Sequence, residues 1–323
     1  MDQSVSRRGF LGALSAVGAW LAAPRAMSAE PRTTAAAPGF RFVHLTDIHV
    51  RPELGATEGL IQCLKSIEAL RPKPDFILTG GDLVSDVFKQ DLPRAKVLFA
   101  LLKKTLAEHT SLPVRHCLGN HDVFGWGGKK GVTPATPQYG KAMYLEELGL
   151  PQTYYSFDHK GWRFYVLDSI QPSTEGKLYQ GYIDEPQLDW LTRSLKEKPA
   201  AMPACVVTHI PIMTVTIFNR PSTEQGYEVA ASSMCRDAQK LAHLFAAHNV
   251  KLALSGHIHE IDRVDYRGVT YICDGAVSGA WWKGPHKGFD EGYGVIDARG
   301  NGSFQHEYRT YGWKARTEAV AAE

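Results

Sequence analysis

The sequence lacks several things that would have narrowed its role at once. It has no charge imbalance: 36 Lys and Arg stand against 34 Asp and Glu, a net charge of +2. Such a balance gives no electrostatic pull toward a polyanion, so no nucleic-acid polymer is expected as a partner. It has no disulfide framework either. The five cysteines, at 63, 117, 205, 235 and 273, are odd in number and irregular in spacing. Most sit among apolar residues and read as small core side chains rather than a disulfide or zinc scaffold. No internal repeat and no internal linker is visible. With 44% hydrophobic and 22% charged residues over 323 positions, the chain has ample material for one large core.

A membrane-spanning segment is also missing. The apolar stretch from Phe10 to Ala23 is Gly/Ala-rich and too short for a spanning helix, which needs about 20 residues. It follows Ser6-Arg7-Arg8-Gly9-Phe10-Leu11 and precedes the small residues Ala26, Ser28 and Ala29. This order resembles the twin-arginine export signal with a cleavage site behind it. The expectation is a signal peptide over 1–29, a spacer over 30–39, one domain over 40–312 and a short tail over 313–323. Removing 1–29 takes three arginines and one aspartate from the total and leaves the mature chain neutral. The expected partners are then the twin-arginine translocation machinery and a small-molecule substrate. The expected location is the periplasm or another exported compartment, with no stable membrane anchor after cleavage.

From Phe40 onward, strand-like and helix-like segments alternate. "FRFVHLTD" (40–47), "FILTGGD" (76–82), "PVRHCLGN" (113–120), "WRFYVLDS" (162–169), "ACVVTHI" (204–210) and "KLALSGH" (251–257) read as strands. Leu60, Ile61, Leu64, Ile67 and Leu70 fall on one helical face of 57–71. Helices are also expected over about 93–108, from Asp184 with Pro186 in its first turn, and over about 236–248. The end of the chain, 263–312, reads as hairpins. The pattern predicts one α/β domain with two sheets that are not purely parallel.

Polar residues gather at the ends of these strands. Asp47 and His49 follow the first, and Asp82 follows the second after Gly80-Gly81. Asn120, His121 and Asp122 follow the third, His209 ends "VVTHIP", and His257 and His259 end "LALSGHIH". In open α/β sheets that edge is where sites form. A single strand-end histidine is usually structural; five strand ends carrying Asp, Asn or His together are not explained that way.

The ordered set D-x-H, G-D, G-N-H-D, H, G-H-x-H resembles the calcineurin-like metallophosphoesterase superfamily, and within it the bacterial cyclic-nucleotide-phosphodiesterase-like group. The resemblance implies the metallo-dependent phosphatase fold, an α/β architecture of two mixed β-sheets sandwiched between helices. It implies phosphoester hydrolysis at two metal ions, with a phosphodiesterase acting on cyclic nucleotides as one reading. A phosphomonoesterase or nucleotidase is the close alternative, and a non-catalytic binding protein on the same fold the distant one. By the same resemblance Asp82 bridges two metals. Asp47, His49 and His259 complete one, and Asn120, His209 and His257 the other. Mixed nitrogen and oxygen ligation suits Mn, Fe or Zn. Two divalent ions, two carboxylates and a hydroxide leave about one net positive charge, which favours a phosphate group.

His121 is implied as the catalytic residue that hydrogen-bonds or protonates the ester, oriented by Asp86 or Asp122; the sequence alone leaves that choice open. Purple acid phosphatases carry a tyrosine ligand three residues after the bridging aspartate. Here that position is Ser85, which speaks against that subfamily. Substrate contacts are expected from Lys129 and Lys130 in the Gly/Pro-rich loop 124–140, and from Trp281, Trp282 and His286. For each of these a solvated loop or a core position is the alternative. The segment 213–234 lacks periodicity and reads as a lid.

Overall fold

In the computed structural model, residues 39–173, 178–219 and 221–316 are described. The proposed signal peptide lies outside the described residues, as does all but the last residue of the proposed spacer. In chain order the elements are β1 (Gly39–Leu45), α1 (Ala56–Glu68), β2 (Phe76–Thr79), α2 (Leu92–His109), β3 (Val114–Arg115), α3 (Ala142–Leu148), β4 (Tyr155–His159), β5 (Trp162–Val166) and β6 (Ile170–Pro172). There follow β7 (Tyr179–Gly181), α4 (Glu185–Glu197), β8 (Ala204–Val207), α5 (Ala238–Ala247), β9 (Val250–Ser255), β10 (Asp262–Tyr266), β11 (Val269–Cys273), β12 (Gly292–Arg299) and β13 (Phe304–Thr310).

Two mixed sheets carry the fold. The first runs β13-β12-β1-β2-β3 and the second β10-β11-β9-β8-β5-β4, with β6 and β7 a separate ribbon. Strands β1, β2 and β3 are mutually parallel, as are β5, β8 and β9. The hairpins expected at the end of the chain form, but in different sheets: β10–β11 edges the second and β12–β13 the first.

Alternation along the strands explains why both faces are apolar. Phe40 and Phe42 of β1, Phe76 and Leu78 of β2, Phe164 and Val166 of β5, Cys205 and Val207 of β8, and Leu252 and Leu254 of β9 form one buried cluster between the sheets. The rings of Phe42 and Phe164 meet edge to face across it, with centroids 5.3 Å apart. The intervening residues, among them Val43, Leu45, Ile77, Tyr165, Val206 and Ala253, turn the other way into a larger core with α1, α2, α4 and α5. Strands buried on both faces read as continuous apolar runs, as these do.

Two helices begin where their capping residues dictate. The Asp91 carboxylate accepts from the Arg94 N–H at 3.0 Å, with Pro93 in the first turn of α2. Asp184 accepts from the Gln187 N–H at 3.1 Å, ahead of Pro186 in α4. All five cysteines are buried and free. Among the described residues no helix is long and apolar enough to cross a membrane. The packed chain continues past residue 312: Trp313 meets the Trp282 ring edge-on at 5.7 Å, and Arg316 pairs with Glu58 of α1.

Candidate metal centre

The parallel strands deliver the polar residues to one edge. Asp47 lies just past β1, Asp82 past β2, Asn120 past β3, His209 past β8 and His257 past β9. Backbone hydrogen bonds lock these exits together: Asp47 N to Gly81 O at 3.0 Å, His49 N to Asp82 O at 2.9 Å, and Gly256 N to His209 O at 3.1 Å. Asp47, His49, Asp82, His257 and His259 all have positive φ, between 44° and 73°. Non-glycine residues adopt that conformation uncommonly, Asp and His more readily than most, and five of them meet at this one edge. Two glycines let the chains approach. A Cβ on Gly119 would lie 2.1 Å from the Asp82 backbone nitrogen, and one on Gly256 would lie 1.9 Å from the Thr46 hydroxyl.

Two groups of ligand-type atoms result. Asp47, His49 and His259 form one, and Asp82, His209 and His257 the other. In the first, His49 Nε2 and His259 Nε2 are 3.2 Å apart, and His259 Nε2 is 3.2 Å from Asp47 Oδ1. In the second, His257 Nδ1 is 3.2 Å from His209 Nε2, which also lies 3.0 Å from Asn120 Oδ1. Asp82 stands between the groups, its Oδ2 3.1 Å from His209 Nε2 and 3.6 Å from His49 Nε2.

The outward nitrogen of each ring faces a backbone carbonyl. His209 Nδ1 donates to Gly80 O at 2.8 Å, His257 Nε2 to Ser232 O at 2.7 Å, and His259 Nδ1 to Gly279 O at 2.6 Å; His49 Nδ1 makes the longest contact, to Ser85 O at 3.3 Å. Such outer bonds fix the tautomer and leave each inner nitrogen as a lone pair. In the neutral rings, lone pairs that face one another at 3.2 Å repel unless a proton or a metal cation lies between them.

The charge balance points the same way. In each group one imidazole is drawn up and one pushed down. Burial alone would lower His209, but the Asp82 carboxylate lifts it to about 9. Burial likewise opposes the rise of His259, which the Asp47 carboxylate brings about. Burial and a neighbouring imidazole push His49 down to about 3 and His257 down to about 4. Each group thus attracts one positive charge to a buried spot lined by neutral nitrogen and ionised oxygen, the donor set of a transition-metal site. The residues present fit a pair of metal ions.

His121 stands beside the centre. Its backbone N–H donates to Asp82 Oδ1 at 2.8 Å, and its Nδ1 lies 3.2 Å from Asp86 Oδ1. Burial is outweighed by the Asp82 and Asp86 carboxylates, so its pKa is raised. Asp86 is therefore the residue that orients the ring, and the expectation that Asp122 has a catalytic part is corrected. Asp122 is fully buried and accepts from Leu83 N at 2.9 Å, Val84 N at 3.2 Å and Gly119 N at 2.9 Å. It braces the turn that carries Asp82; burial, with the Asp82 charge adding, pushes its pKa up to about 7.

The tryptophan pair divides. Trp281 stacks on His49, centroids 3.7 Å apart, and meets His121 edge-on at 4.7 Å. Trp282 is fully buried and its Nε1 donates to His49 O at 3.0 Å. Its ring fills the space left by Gly59, where a Cβ would lie 2.2 Å away. Trp282 is thus a core pin and not a substrate contact, another correction. His286 lies edge-on to His259 at 5.5 Å. Lys129 and Lys130 are exposed, and neither side chain makes a hydrogen bond or ion pair among the described residues.

The sequence reading missed Tyr179 of β7. Its ring meets His257 edge-on at 6.2 Å and Phe88 edge-on at 5.8 Å. Burial, with the Asp82 charge adding, raises its phenol. It also missed the ties of the 213–234 segment, where Asn219 donates to Glu260 Oε2 at 2.7 Å and Ser232 holds His257.

With this geometry in place, comparison with known proteins decides the family. The profile described as calcineurin-like phosphoesterase matches residues 40–260. The chain belongs to the calcineurin-like phosphoesterase family. It is a metal-dependent phosphoric ester hydrolase. It is 26% identical over 241 residues to the 3',5'-cyclic-nucleotide phosphodiesterase alr5338 of Nostoc sp. (strain PCC 7120), covering 72% of this chain and 76% of that one. It is 27% identical over 230 residues to the human serine/threonine-protein phosphatase CPPED1, covering 70% of this chain and 66% of that one. A dimetal phosphatase from Danio rerio shares the fold, with a TM-score of 0.56 at 13% identity over 84% of this chain and 99% of that one.

Proposed function

We propose that this calcineurin-like phosphoesterase is an exported two-metal phosphodiesterase acting on small phosphoesters, with cyclic nucleotides as the first class to test. The observation that carries the two-metal reading is the pair of facing imidazoles on each side of Asp82, with outer nitrogens committed to carbonyls. Two divalent ions bound there would supply Lewis acidity and a nucleophile at neutral pH. Asp47, His49 and His259 would hold one and Asn120, His209 and His257 the other, with Asp82 shared. Mn, Fe and Zn all suit that donor set.

The chain's own residues do the rest. His121, held by Asp86, gives its proton to the leaving oxygen or hydrogen-bonds the ester. Trp281 covers His49 and packs against His121, so it shields the first group and narrows access to it. The phosphodiesterase reading draws on the relative named as a cyclic-nucleotide phosphodiesterase. The relative named as a protein phosphatase supports a phosphomonoesterase as the second reading. A panel of 3',5'-cyclic nucleotides, nucleoside monophosphates and nitrophenyl mono- and diesters, run on metal-reconstituted protein, separates the two. Hydrolysis of monoesters alone would contradict the diesterase reading.

Export rests on the Arg7-Arg8 motif and the short apolar stretch behind it. The pair is the expected address for the twin-arginine machinery. Cell fractionation of Arg7→Lys with Arg8→Lys should find the precursor retained in the cytoplasm; normal export of the double variant would remove this part of the proposal.

A further inference from the structure

The centre is lined unequally. On the side of the first group, His121 and Trp281 stand against His49. On the side of the second group the neighbour is Tyr179, and the strand-end motifs gave no sign of it. Its ring is wedged edge-on between His257 and Phe88, with interplanar angles of 84° and 87°. The strand that carries it is held firmly. Gly181 N donates to Ala231 O at 2.6 Å, Arg236 donates to Gln180 Oε1 at 2.9 Å, and β7 pairs in register with β6.

The hydroxyl is what remains unexplained. Tyrosine hydroxyls near a protein interior usually find a partner. Tyr155 donates to His116 O, Tyr308 to Asp290 O, and Tyr311 to Val277 O. The half-buried Tyr179 has a ring fixed by packing and a hydroxyl with no hydrogen-bond partner among the described residues. It is not sealed away like the buried, unpartnered hydroxyls of Tyr144 and Tyr271. The edge-on contact of its ring with His257, centroids 6.2 Å apart, puts it beside the centre. A phenol carries its proton throughout the physiological range. It therefore presents a neutral donor where an anionic group would bind.

We propose that Tyr179 is a further substrate-binding residue, whose hydroxyl donates a hydrogen bond to a non-bridging oxygen of the phosphoryl group on the His257 side of the centre. This rests on the phosphoesterase reading above and adds a specific donor to it. The phosphoryl group is common to every ester and to the product, so the contact serves all substrates alike.

Tyr179→Phe removes the hydroxyl and keeps both edge-on ring contacts. Inorganic phosphate is titrated calorimetrically into the metal-loaded full chain, wild type and variant, with metal content measured on the same samples. kcat and KM on bis(p-nitrophenyl) phosphate are taken alongside. A hydrogen bond to a charged group corresponds to roughly a 10- to 100-fold effect. Phosphate binding should weaken by about that factor, with metal content and melting temperature unchanged. Equal phosphate affinity and equal KM in both proteins would overturn the inference and leave the two-metal reading standing. Loss of metal in the variant would also overturn it, since the hydroxyl would then support the ligand shell. A wild type that takes up metal but neither binds phosphate nor hydrolyses any ester would fail at the earlier step and remove both.

Discussion

The cluster of His44, Asp274 and His306 and the centre around Asp82 use the same side chains at similar burial, but they arrange them differently. In the first, one carboxylate takes both rings, His44 Nδ1 at 2.7 Å on Oδ2 and His306 Nε2 at 2.8 Å on Oδ1. Each imidazole points at a carboxylate and none at another imidazole. Around Asp82 the inner nitrogens point at one another in two pairs. Buried charge alone therefore does not mark a metal site. The direction of the ring nitrogens does: one cluster turns two rings onto a shared carboxylate, the other turns them onto one another and leaves room for cations.

The comparison breaks most sharply if Asp82 can be lost without consequence. Asp82→Ala removes the residue that stands between the two groups. Turnover should fall to background and bound metal should drop, while circular dichroism stays native, because Asp82 lies on a turn past β2 and not in the apolar core. Full activity with intact metal would show that the two clusters do not differ in the way argued.

His121→Ala tests the mechanism next. General acid catalysis typically supplies about 10²–10⁴-fold. The variant should lose that much on nucleoside or alkyl esters, less on nitrophenyl esters, and keep its metals. Side-by-side kinetics on both ester types, with metal analysis, decide it. Equal losses would shift His121 to phosphate binding.

The tryptophans sharpen the contrast between site and core. Trp282→Ala empties a fully buried position and should cost about 3–5 kcal/mol of stability. Trp281→Ala should cost much less stability and change KM or kcat instead. Urea denaturation and steady-state kinetics on both variants separate the roles; similar stability losses would place both rings in the core.

The smallest effect concerns pH at the self-contained cluster. Burial would raise Asp274, but His306 and His44 hold it below its ordinary 3.8. Its contribution is therefore present above that pH and is lost as pH falls through the folded value. Burial opposes the Asp274 carboxylate at His306, whose pKa is raised above 6.5. That contribution is present below 6.5 and is lost as pH rises through the folded value. The cluster should stabilise most in the window between those two ordinary values. Asp274→Asn should thus cost more at mildly acidic than at alkaline pH, by on the order of 1–2 kcal/mol, with metal content unchanged. A pH-independent cost would contradict the ion-pair account.

How far the sequence alone carries can be judged residue by residue. The strand-end positions were legible because parallel strands deliver their C-terminal residues to one edge, so a fixed motif order becomes a spatial cluster. The α/β alternation and the helix start at Asp184 were legible for local reasons, whereas the cap at Asp91 emerged only in the structure. Asp86 and Asp122 were not separable, because both lie on turns near His121 and only the backbone N–H groups of Leu83, Val84 and Gly119 claim Asp122. Trp281 and Trp282 were not separable either. Both adopt positive φ, at 58° and 71°, so no regular periodicity says which ring turns inward. Tyr179 was invisible because it sits on a three-residue strand in a ribbon outside both sheets. Strand β3 is only Val114–Arg115, shorter than the strand expected over 113–120, and the chain beyond it leaves the sheet and carries Asn120 to the site.

The central claim is that two ions share Asp82. Electron paramagnetic resonance of the Mn(II)-reconstituted chain, with metal content measured on the same sample, tests it most directly. The account predicts two ions per chain and the broadened spectrum of an exchange-coupled pair, reverting toward isolated-ion signals in Asp82→Ala. A wild type that binds a single ion, or two with the six-line spectrum of isolated Mn(II), would contradict it.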